Sequence, residues 1–276
     1  MKNYSKGRRL SISPILLIGA SIIILVILVG VFAPYLSPHD PSQMYPRNRR
    51  EGPSSQFLLG TDRLGRDMLS RIIWGARVSL LIGSLAVSVS MTIGVSIGMV
   101  SGYYGGLLDE VLMRLMDMIF AFPALLLAMA LIAVTGPSVR NIIFVTALIG
   151  VPRFARILRA SVLSLKAQEF IEAARALSKS DVGIMVQHIL PNCIAPLTVE
   201  TSLSVATAII TESALSFLGL GVRPPTPSWG QMIADGRSEV FSAPWIVVFP
   251  GLAMMITILG YNLLGDGLRD ALDPRL

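Results

Sequence analysis

Six long apolar blocks dominate the pattern of hydrophobic and polar positions along the chain. They cover residues 11–33, 79–100, 111–134, 139–158, 195–218 and 244–264. Each block matches the roughly 20 residues that an α-helix needs to cross a bilayer. Backbone polar groups that face lipid must be hydrogen-bonded within the segment, so such blocks form helices. The pattern therefore predicts an all-α membrane protein with six transmembrane helices.

The first block follows a basic segment that contains Lys2, Lys6, Arg8 and Arg9. Such a start is also typical of a secretory signal peptide. This block is long enough to span a bilayer, however, and prolines follow it instead of the small residues of a cleavage site. We therefore interpret it as an uncleaved first transmembrane helix.

Basic residues outside the blocks predict the orientation, because loops rich in Lys and Arg stay in the cytoplasm. The N-terminal cluster predicts a cytoplasmic N-terminus, and six crossings return the C-terminus to that side. By parity the segment after the fourth block is cytoplasmic, and it carries Arg175 and Lys179. The predicted external segment, residues 34–77, departs from this rule. We interpret its arginines at positions 63, 66 and 71 as solvated.

Composition supports a membrane protein and argues against catalysis. The chain is 53% hydrophobic and 14% charged, far from soluble averages. Its net charge of +6 is explained by basic loops without nucleic acid. Cys193 has no second cysteine to pair with, and the two histidines, His39 and His188, are distant. We therefore expect no metal site, no catalytic residue and no cofactor in this chain.

Two other functional classes would need features that the sequence lacks. An intramembrane protease would need a nucleophile with its base, or a metal pair, within the bilayer. A self-sufficient channel would show rings of charge or a selectivity-filter loop. The sequence also lacks the G-x-x-x-x-G-K-[ST] pattern that binds ATP phosphates. An intramembrane enzyme stays a remote alternative.

The second block carries small residues at a spacing of four: Ser90, Gly94, Gly98 and Gly102. This spacing places them on one helix face, where they allow another backbone to approach closely. We predict a packed interface there. The partner is either a helix of the same chain or a second subunit.

A polar stretch between the fourth and fifth blocks predicts a short amphipathic helix. Phe170, Ala174 and Leu177 lie on one helical face at i, i+4 and i+7, and Glu172 can pair with Arg175. A helix this short is unstable alone and needs a surface to dock on. A hydrophobic groove in a partner is one such surface for the shared face of these three residues, and a solvated loop helix is the alternative.

A second short helix is predicted just downstream. Ser180 and Asp181 are typical N-terminal caps, and Pro191 is expected to end the helix. The two helices together would form an exposed lever between transmembrane segments.

Four ionisable residues lie in or near apolar blocks, where an unpaired charge is costly. Arg114 and Asp117 are predicted to pair with each other. Glu200 and Glu212 lie in the fifth block. For Glu212 the alternatives are a hydrogen bond between helices and a position on the wall of a translocation path.

The polar stretch resembles the cytoplasmic loop of ABC importer permeases, which binds the ATPase. That loop reads Glu-Ala-Ala, three residues, Gly, nine residues, Ile-x-Leu-Pro. Here Glu172-Ala173-Ala174 and Leu190-Pro191 match in register, while Ser178 replaces Gly and His188 replaces Ile. A left-handed turn at Ser178 would cost about 1 kcal/mol more than at Gly. The resemblance implies an ATPase-coupling site formed by Phe170, Glu172, Ala173, Ala174, Leu177, Ser178, His188, Leu190 and Pro191.

Five further stretches resemble the dipeptide, oligopeptide and nickel permease family, in its shorter C-type. They are residues 59–67, 75–80, 216–221, 224–230 and 262–270. The resemblance implies a type I ABC importer permease fold in three parts. Residues 1–73 would form a cytoplasmic tail, the first helix and an external segment. Residues 74–265 would form a core of five helices with coupling loop 160–194, and residues 266–276 a cytoplasmic tail.

The resemblance also implies a function and partners. The chain would form half of a path for short peptides in a prokaryotic inner membrane, with Glu200 and Glu212 as candidate path residues. Nickel or a metal chelate is the alternative substrate. Implied partners are a second permease subunit, one or two ATP-binding subunits that hold ATP and Mg, and an extracytoplasmic solute-binding protein.

Overall fold

The computed structural model describes residues 13–272, and these fold almost entirely into helices without a strand. The membrane-sized helices are α1 (Pro14–Val31), α3 (Met68–Tyr104), α6 (Val139–Lys166), α9 (Ile194–Phe217) and α11 (Trp245–Leu272). The shorter ones are α2 (Ala33–Leu36), α4 (Gly106–Phe120), α5 (Ala124–Thr135), α7 (Glu169–Ala176), α8 (Asp181–Ile184) and α10 (Trp229–Gly236).

Side-chain caps fix where several helices begin. Ser13, Asp67 and Ser138 each accept a hydrogen bond from the backbone N–H three residues on, at the starts of α1, α3 and α6. At the other end of α3, Gly105 takes a φ of 71°, which stops the helix and turns the chain into α4. Local sequence chemistry thus accounts for these boundaries.

The third apolar block forms two helices, whereas the sequence predicted one. Helices α4 and α5 meet at an angle of 86°. The break lies at Pro123, which disfavours a helical conformation for the residue before it. Five helical segments are therefore long and apolar enough to span a membrane, and the number is six if the bent pair counts as one span.

Contacts along the bent pair show that it returns across the molecule. Helices α3 and α6 are parallel, since Ile82 clusters with Ile142 near their starts and Gly102 meets Val162 near their ends. Between them the chain must run back. Asp109 of α4 accordingly binds Arg159 near the end of α6, and α5 packs beside Ile82 and Ile142. The predicted six crossings are consistent with this path.

Several helices extend beyond their apolar blocks. Helix α3 begins at Met68 instead of residue 79, and α6 continues to Lys166 instead of residue 158. The blocks mark only the segment that suits hydrocarbon. Beyond the apolar segment, α3 and α6 continue for several turns that are held by helix caps and polar contacts.

The first and last helices are antiparallel neighbours. Gly19 lies against Leu264, and Leu16 lies against Gly267, so their backbones approach closely. The described N- and C-terminal ends therefore meet at one face of the molecule. The basic cluster at positions 2, 6, 8 and 9 lies outside the described residues.

The opposite face is built from residues 34–67 and 218–244, and we call it the ion-pair face. Arg66 binds Asp62 at 2.6 Å and reaches Asp235 at 3.8 Å, while Arg50 binds Glu239 at 2.6 Å. Trp245 also donates to the carbonyl of Thr61. These contacts fasten two segments that are distant in sequence.

The interpretation of three arginines as solvated is wrong for two of them. Arg66 and Arg71 are buried, and only Arg63 is largely exposed. Both buried guanidinium groups have Asp62 within 4 Å, which compensates for the loss of water.

Candidate functional site

Helix α7 is fixed to the body of the protein by two apolar side chains. Ile171 and Ala174 are buried in the main hydrophobic cluster, together with Leu158 of α6 and Ile184 of α8. The prediction that Ala174 shares an exposed docking face with Phe170 and Leu177 is therefore wrong. Three positions at i, i+4 and i+7 define a face but not the direction in which it points.

The other side of α7 is open to solvent and carries apolar groups. Phe170 is 42% exposed and Leu177 is 84% exposed, while Glu172 and Ala173 are exposed between them. Val182 and Val186, after α7, are also exposed. We call these six residues the α7 surface. A short helix held from behind with apolar side chains in front can enter a groove of a partner.

The charges of α7 follow the helix dipole. Glu169 and Glu172 lie in the first turn and Arg175 in the last, where each sign is favoured. The predicted pair between Glu172 and Arg175 is absent from the ion pairs of the described residues. Instead, the Arg175 guanidinium lies 5.4 Å from the ring centroid of Tyr103.

Ser178 adopts the left-handed turn that the resemblance implied for this position. Its φ is 55°, the Ser178 N–H donates to the carbonyl of Arg175, and the Lys179 N–H donates to that of Ala174. These two bonds form a Schellman cap, in which glycine is the usual left-handed residue. The turn is thus kept without glycine, and it directs the chain from α7 into α8.

Pro191 does not end the second helix, contrary to the prediction. After α8, Met185–Ile189 forms a π-helical turn and Leu190–Cys193 a 3-10 turn, and α9 follows directly. A proline is tolerated in the first turn of such a segment, because the N–H it lacks has no helical partner there. Residues 181–217 therefore form one helical path from the lever into the membrane-sized helix.

His188 and Leu190 lie within this path. The Nε2 atom of His188 is 3.0 Å from the Nζ atom of Lys179, which joins the π turn to the end of α7. Leu190 is partly buried against the main hydrophobic cluster, while Pro191 is exposed.

Two polar contacts tie Asp181 of the lever, and Lys166 at the end of α6, to Tyr103 of α3. The Tyr103 hydroxyl donates to Asp181 at 2.6 Å, and Lys166 donates to the Tyr103 carbonyl at 2.5 Å. Sequence offered no signal for them, since Tyr103 and Asp181 are 78 residues apart.

The small-residue face of α3 packs against α6 of the same chain. Ser90 donates to the Ala147 carbonyl at 2.8 Å. A Cβ atom on Gly94 would lie 2.6 Å from the Val151 carbonyl oxygen, and one on Gly98 would collide with the Ala155 carbonyl. Gly102 lies against Val162 and Arg159. Of the two alternatives, the structure therefore shows the contact within the chain.

A cleft of about 180 Å³ lies between α3, α5, α6 and α9. Its wall is largely apolar, with spaced hydroxyl groups and one cation. Its polar lining residues are Ser90, Thr146, Arg153, Ser204, Thr207 and Thr211. The cation is Arg153, which lies within α6.

The two acidic candidates of α9 occupy different environments. Glu200 binds Arg153 at 2.6 Å and accepts from Ser204 at 2.8 Å, so it touches the cleft through both residues. Glu212 is fully buried and lies outside the cleft. Its Oε1 atom accepts from Ser216 and from Ser228, each at 2.9 Å, and its Oε2 atom has no partner among the described residues.

The predicted pair between Arg114 and Asp117 is also replaced by a contact between helices. Asp117 of α4 accepts from Arg156 of α6 at 2.7 Å, and this guanidinium also lies over the Phe120 ring. Neighbouring helices present a better partner than the same helix does. Within residues 13–272, no three His, Cys, Asp or Glu side chains come together as metal ligands.

Family comparisons match most of the chain. Residues 94–276 match the family described as "Binding-protein-dependent transport system inner membrane component". Residues 7–53 match "N-terminal TM domain of oligopeptide transport permease C".

Curated relatives are similar over nearly the whole length. The dipeptide transport system permease of Alkalihalophilus pseudofirmus is 44% identical over 269 residues, 98% of this chain and 88% of that protein. The glutathione transport system permease of Pectobacterium atrosepticum is 45% identical, over 92% and 85% respectively. The di/tripeptide transport system permease of Pseudomonas aeruginosa is 43% identical, over 94% and 87%.

Solved structures agree on the fold. An inward-facing structure of the MetNI methionine ABC transporter aligns with a TM-score of 0.62 at 16% identity, over 75% of this chain and 98% of that one. This chain therefore belongs to the family of binding-protein-dependent transport system inner membrane components and is a permease subunit of an ABC importer with the type I fold.

Proposed function

We propose that this permease forms half of the membrane path of an ATP-driven importer of short peptides. The similar permeases named above serve dipeptide, di/tripeptide and glutathione transport systems, which supports a peptide substrate. A nickel substrate has less support, because the similar permeases belong to peptide transport systems. The described residues also contain no cluster of metal ligands.

The observation that carries the proposal is the construction of the α7 surface. Ile171 and Ala174 hold α7 on the core, while Phe170 and Leu177 stay exposed. The helical path from residue 181 to residue 217 connects the lever to α9. A displacement of the α7 surface by a bound partner would therefore be transmitted to α9, which is long enough to span the membrane.

The partners follow from this arrangement. An ATP-binding subunit, which holds ATP and Mg, docks on the α7 surface, and one or two such subunits serve the complex. A second, homologous permease forms the other half of the path, and a solute-binding protein delivers peptide at the ion-pair face. The α7 surface and both termini are then cytoplasmic, in the inner or plasma membrane of a prokaryote, and no nucleic acid takes part.

Substitutions on the α7 surface test the proposal in the assembled importer. Leu177→Asp and Glu172→Lys change exposed side chains, so the fold is kept while the docking surface is spoiled. We expect peptide uptake in membrane vesicles to fall at least tenfold, with loss of the ATP-binding subunit on affinity purification. Ala174→Asp is less informative, because it places a charge in the core.

Phe241→Asp is the matched control. Phe241 is fully exposed between α10 and α11, in the ion-pair face opposite the α7 surface. This variant should retain the ATP-binding subunit at the wild-type level. Normal uptake and normal ATPase recovery in both α7-surface variants would refute the coupling site.

A further inference from the structure

Arg153 lines the cleft with unused hydrogen-bonding capacity. Its Nε atom is 2.6 Å from Glu200, and its side chain is 46% exposed. No hydrogen bond from a described residue occupies its two terminal nitrogens. A guanidinium group presents donors in a planar fork that fits a carboxylate in a bidentate manner. The free edge of Arg153 is thus a carboxylate-binding group at the cleft.

Thr146 supplies a second unpaired polar group on the same wall. It lies seven residues before Arg153 on α6, which places both on one helix face. Thr146 is nine-tenths buried, and its Oγ1 atom has no hydrogen-bond partner among the described residues. A buried hydroxyl without a partner is unfavourable unless something else binds it.

The facing wall belongs to α9 and is already satisfied. Thr207 and Thr211 donate to carbonyls of their own helix, and Ser204 donates to Glu200. The apolar residues between them suit varied side chains. Polar capacity is therefore concentrated on α6, at Thr146 and Arg153.

We propose that this cleft binds the main chain of the transported peptide, with Arg153 receiving its C-terminal carboxylate and Thr146 hydrogen-bonding its backbone. The proposal rests on the proposed function and deepens it by naming a binding subsite. Glu200 is a positioning residue, which holds the guanidinium across the cleft from α9. The C-terminal carboxylate and the backbone are present in every peptide, so this cleft would not select among peptide side chains. That selection would be made by other subunits of the importer.

Charge-selective labelling of a cysteine in the cleft tests the role of Arg153. Thr207→Cys is made in the assembled complex with Cys193→Ser, since Thr207 is exposed on the cleft and bonds only its own helix. The rates of reaction with an anionic sulfonate and a cationic trimethylammonium methanethiosulfonate are compared. Val134→Cys, an exposed position outside the cleft, normalises the two reagents.

Two variants should change the anion-to-cation ratio in opposite directions. Arg153→Gln should lower the ratio about threefold or more, because it removes one unit charge from the cleft that the labelled thiol faces. Glu200→Gln should raise the ratio, because it removes the countercharge, and Arg153→Lys should keep it near wild type. If the two glutamine variants changed only the access to the cleft, both reagents would be affected by the same factor and the ratio would stay at its wild-type value, which would overturn the role of the Arg153 charge. Arg153→Gln with Glu200→Gln, which buries no lone charge, replaces the single variant if that one does not assemble.

Protection by peptide tests the ligand. L-alanyl-L-alanine should slow labelling at position 207, and its C-terminal amide should protect much less. Arg153→Gln should abolish that difference. Equal protection by acid and amide would overturn the carboxylate assignment.

Peptide uptake by the same wild-type complex separates the two levels of inference. Uptake without any selective protection would refute the subsite and leave the proposed function intact. A complex that hydrolyses ATP but takes up no peptide would refute the proposed function and, with it, the ligand assigned to the cleft.

Discussion

Buried carboxylates show how single residues of α9 acquire different roles. Glu200 is held by an arginine on another helix and touches a cleft. Glu212 is enclosed by two serines and touches none. Ser228 precedes α10, so the bond to Glu212 fastens the chain after α9 back onto that helix. Glu212 thus lies in a packed contact between α9 and the chain just before α10.

Glu212→Gln is expected to leave peptide uptake near wild type, because glutamine keeps the acceptor for Ser216 and Ser228. Glu212→Leu should destabilise the protein by about 1–3 kcal/mol, since two buried hydroxyl groups lose their acceptor. Uptake at matched expression and thermal unfolding in detergent measure the two effects. A large loss of cationic-peptide uptake in the glutamine variant, with ATP-binding subunits still attached, would place Glu212 on the path instead.

At the scale of elements, the central unit is the parallel pair α3 and α6. Small residues bring the two backbones together over more than three turns, from Ser90 to Gly102. The pair carries the lever at one end, through the bond from Tyr103 to Asp181, and forms two walls of the cleft. Close packing here therefore links the lever to the cleft.

Gly94→Leu or Gly98→Leu should disrupt this pair. Overpacking a close contact costs about 1–3 kcal/mol, and here the obstacle is backbone, which cannot rotate away. We expect a lower unfolding temperature and poor recovery of the assembled complex. Gly251→Ala in α11 is the control, because a Cβ there meets nothing within 4 Å and alanine favours a helix. Wild-type assembly of the leucine variants would contradict the packing seen here.

For the whole molecule, the two ends differ in character. The ion-pair face joins residues 34–67 to residues 218–244 through buried charges, while the opposite end exposes the α7 surface. Both described chain ends lie on the same side as α7, because α11 is antiparallel to α1 and also to α9, whose start adjoins the lever: Gly265 lies against Leu203, and Ser213 contacts Met254. The orientation in the membrane is therefore defined by whether the ion-pair face or the α7 surface lies outside the cell.

Cysteine labelling in intact cells answers that question. Asn48→Cys and Gln231→Cys should react with an impermeant reagent from outside, since both lie at the ion-pair face. Ser5→Cys should not react, and Leu177→Cys should react only after permeabilisation. Labelling at position 5 but not at position 48 would reverse the orientation.

Local sequence patterns predicted the six apolar blocks as helical, although the third block divides into α4 and α5. Apolar blocks, caps such as Asp67 and the break at Pro123 act within a few residues, through backbone hydrogen bonding and transfer into hydrocarbon. The resemblance also placed a left-handed turn at position 178, where Ser178 has a φ of 55°. The 86° bend of the third block could have been expected from its proline, which the block pattern alone did not weigh.

The partner of each charged side chain, and the direction in which each helix face points, depended on tertiary packing. It turned Ala174 inward, paired Asp117 with Arg156, buried Arg66 and Arg71, and brought Arg153 to Glu200. Each of these depends on which helices become neighbours, and helical periodicity specifies a face but not what it meets. A charged residue in an apolar block indicates that some other group must pair with it. The identity of that partner is fixed by close packing between segments far apart in sequence, such as the contact of α3 with α6.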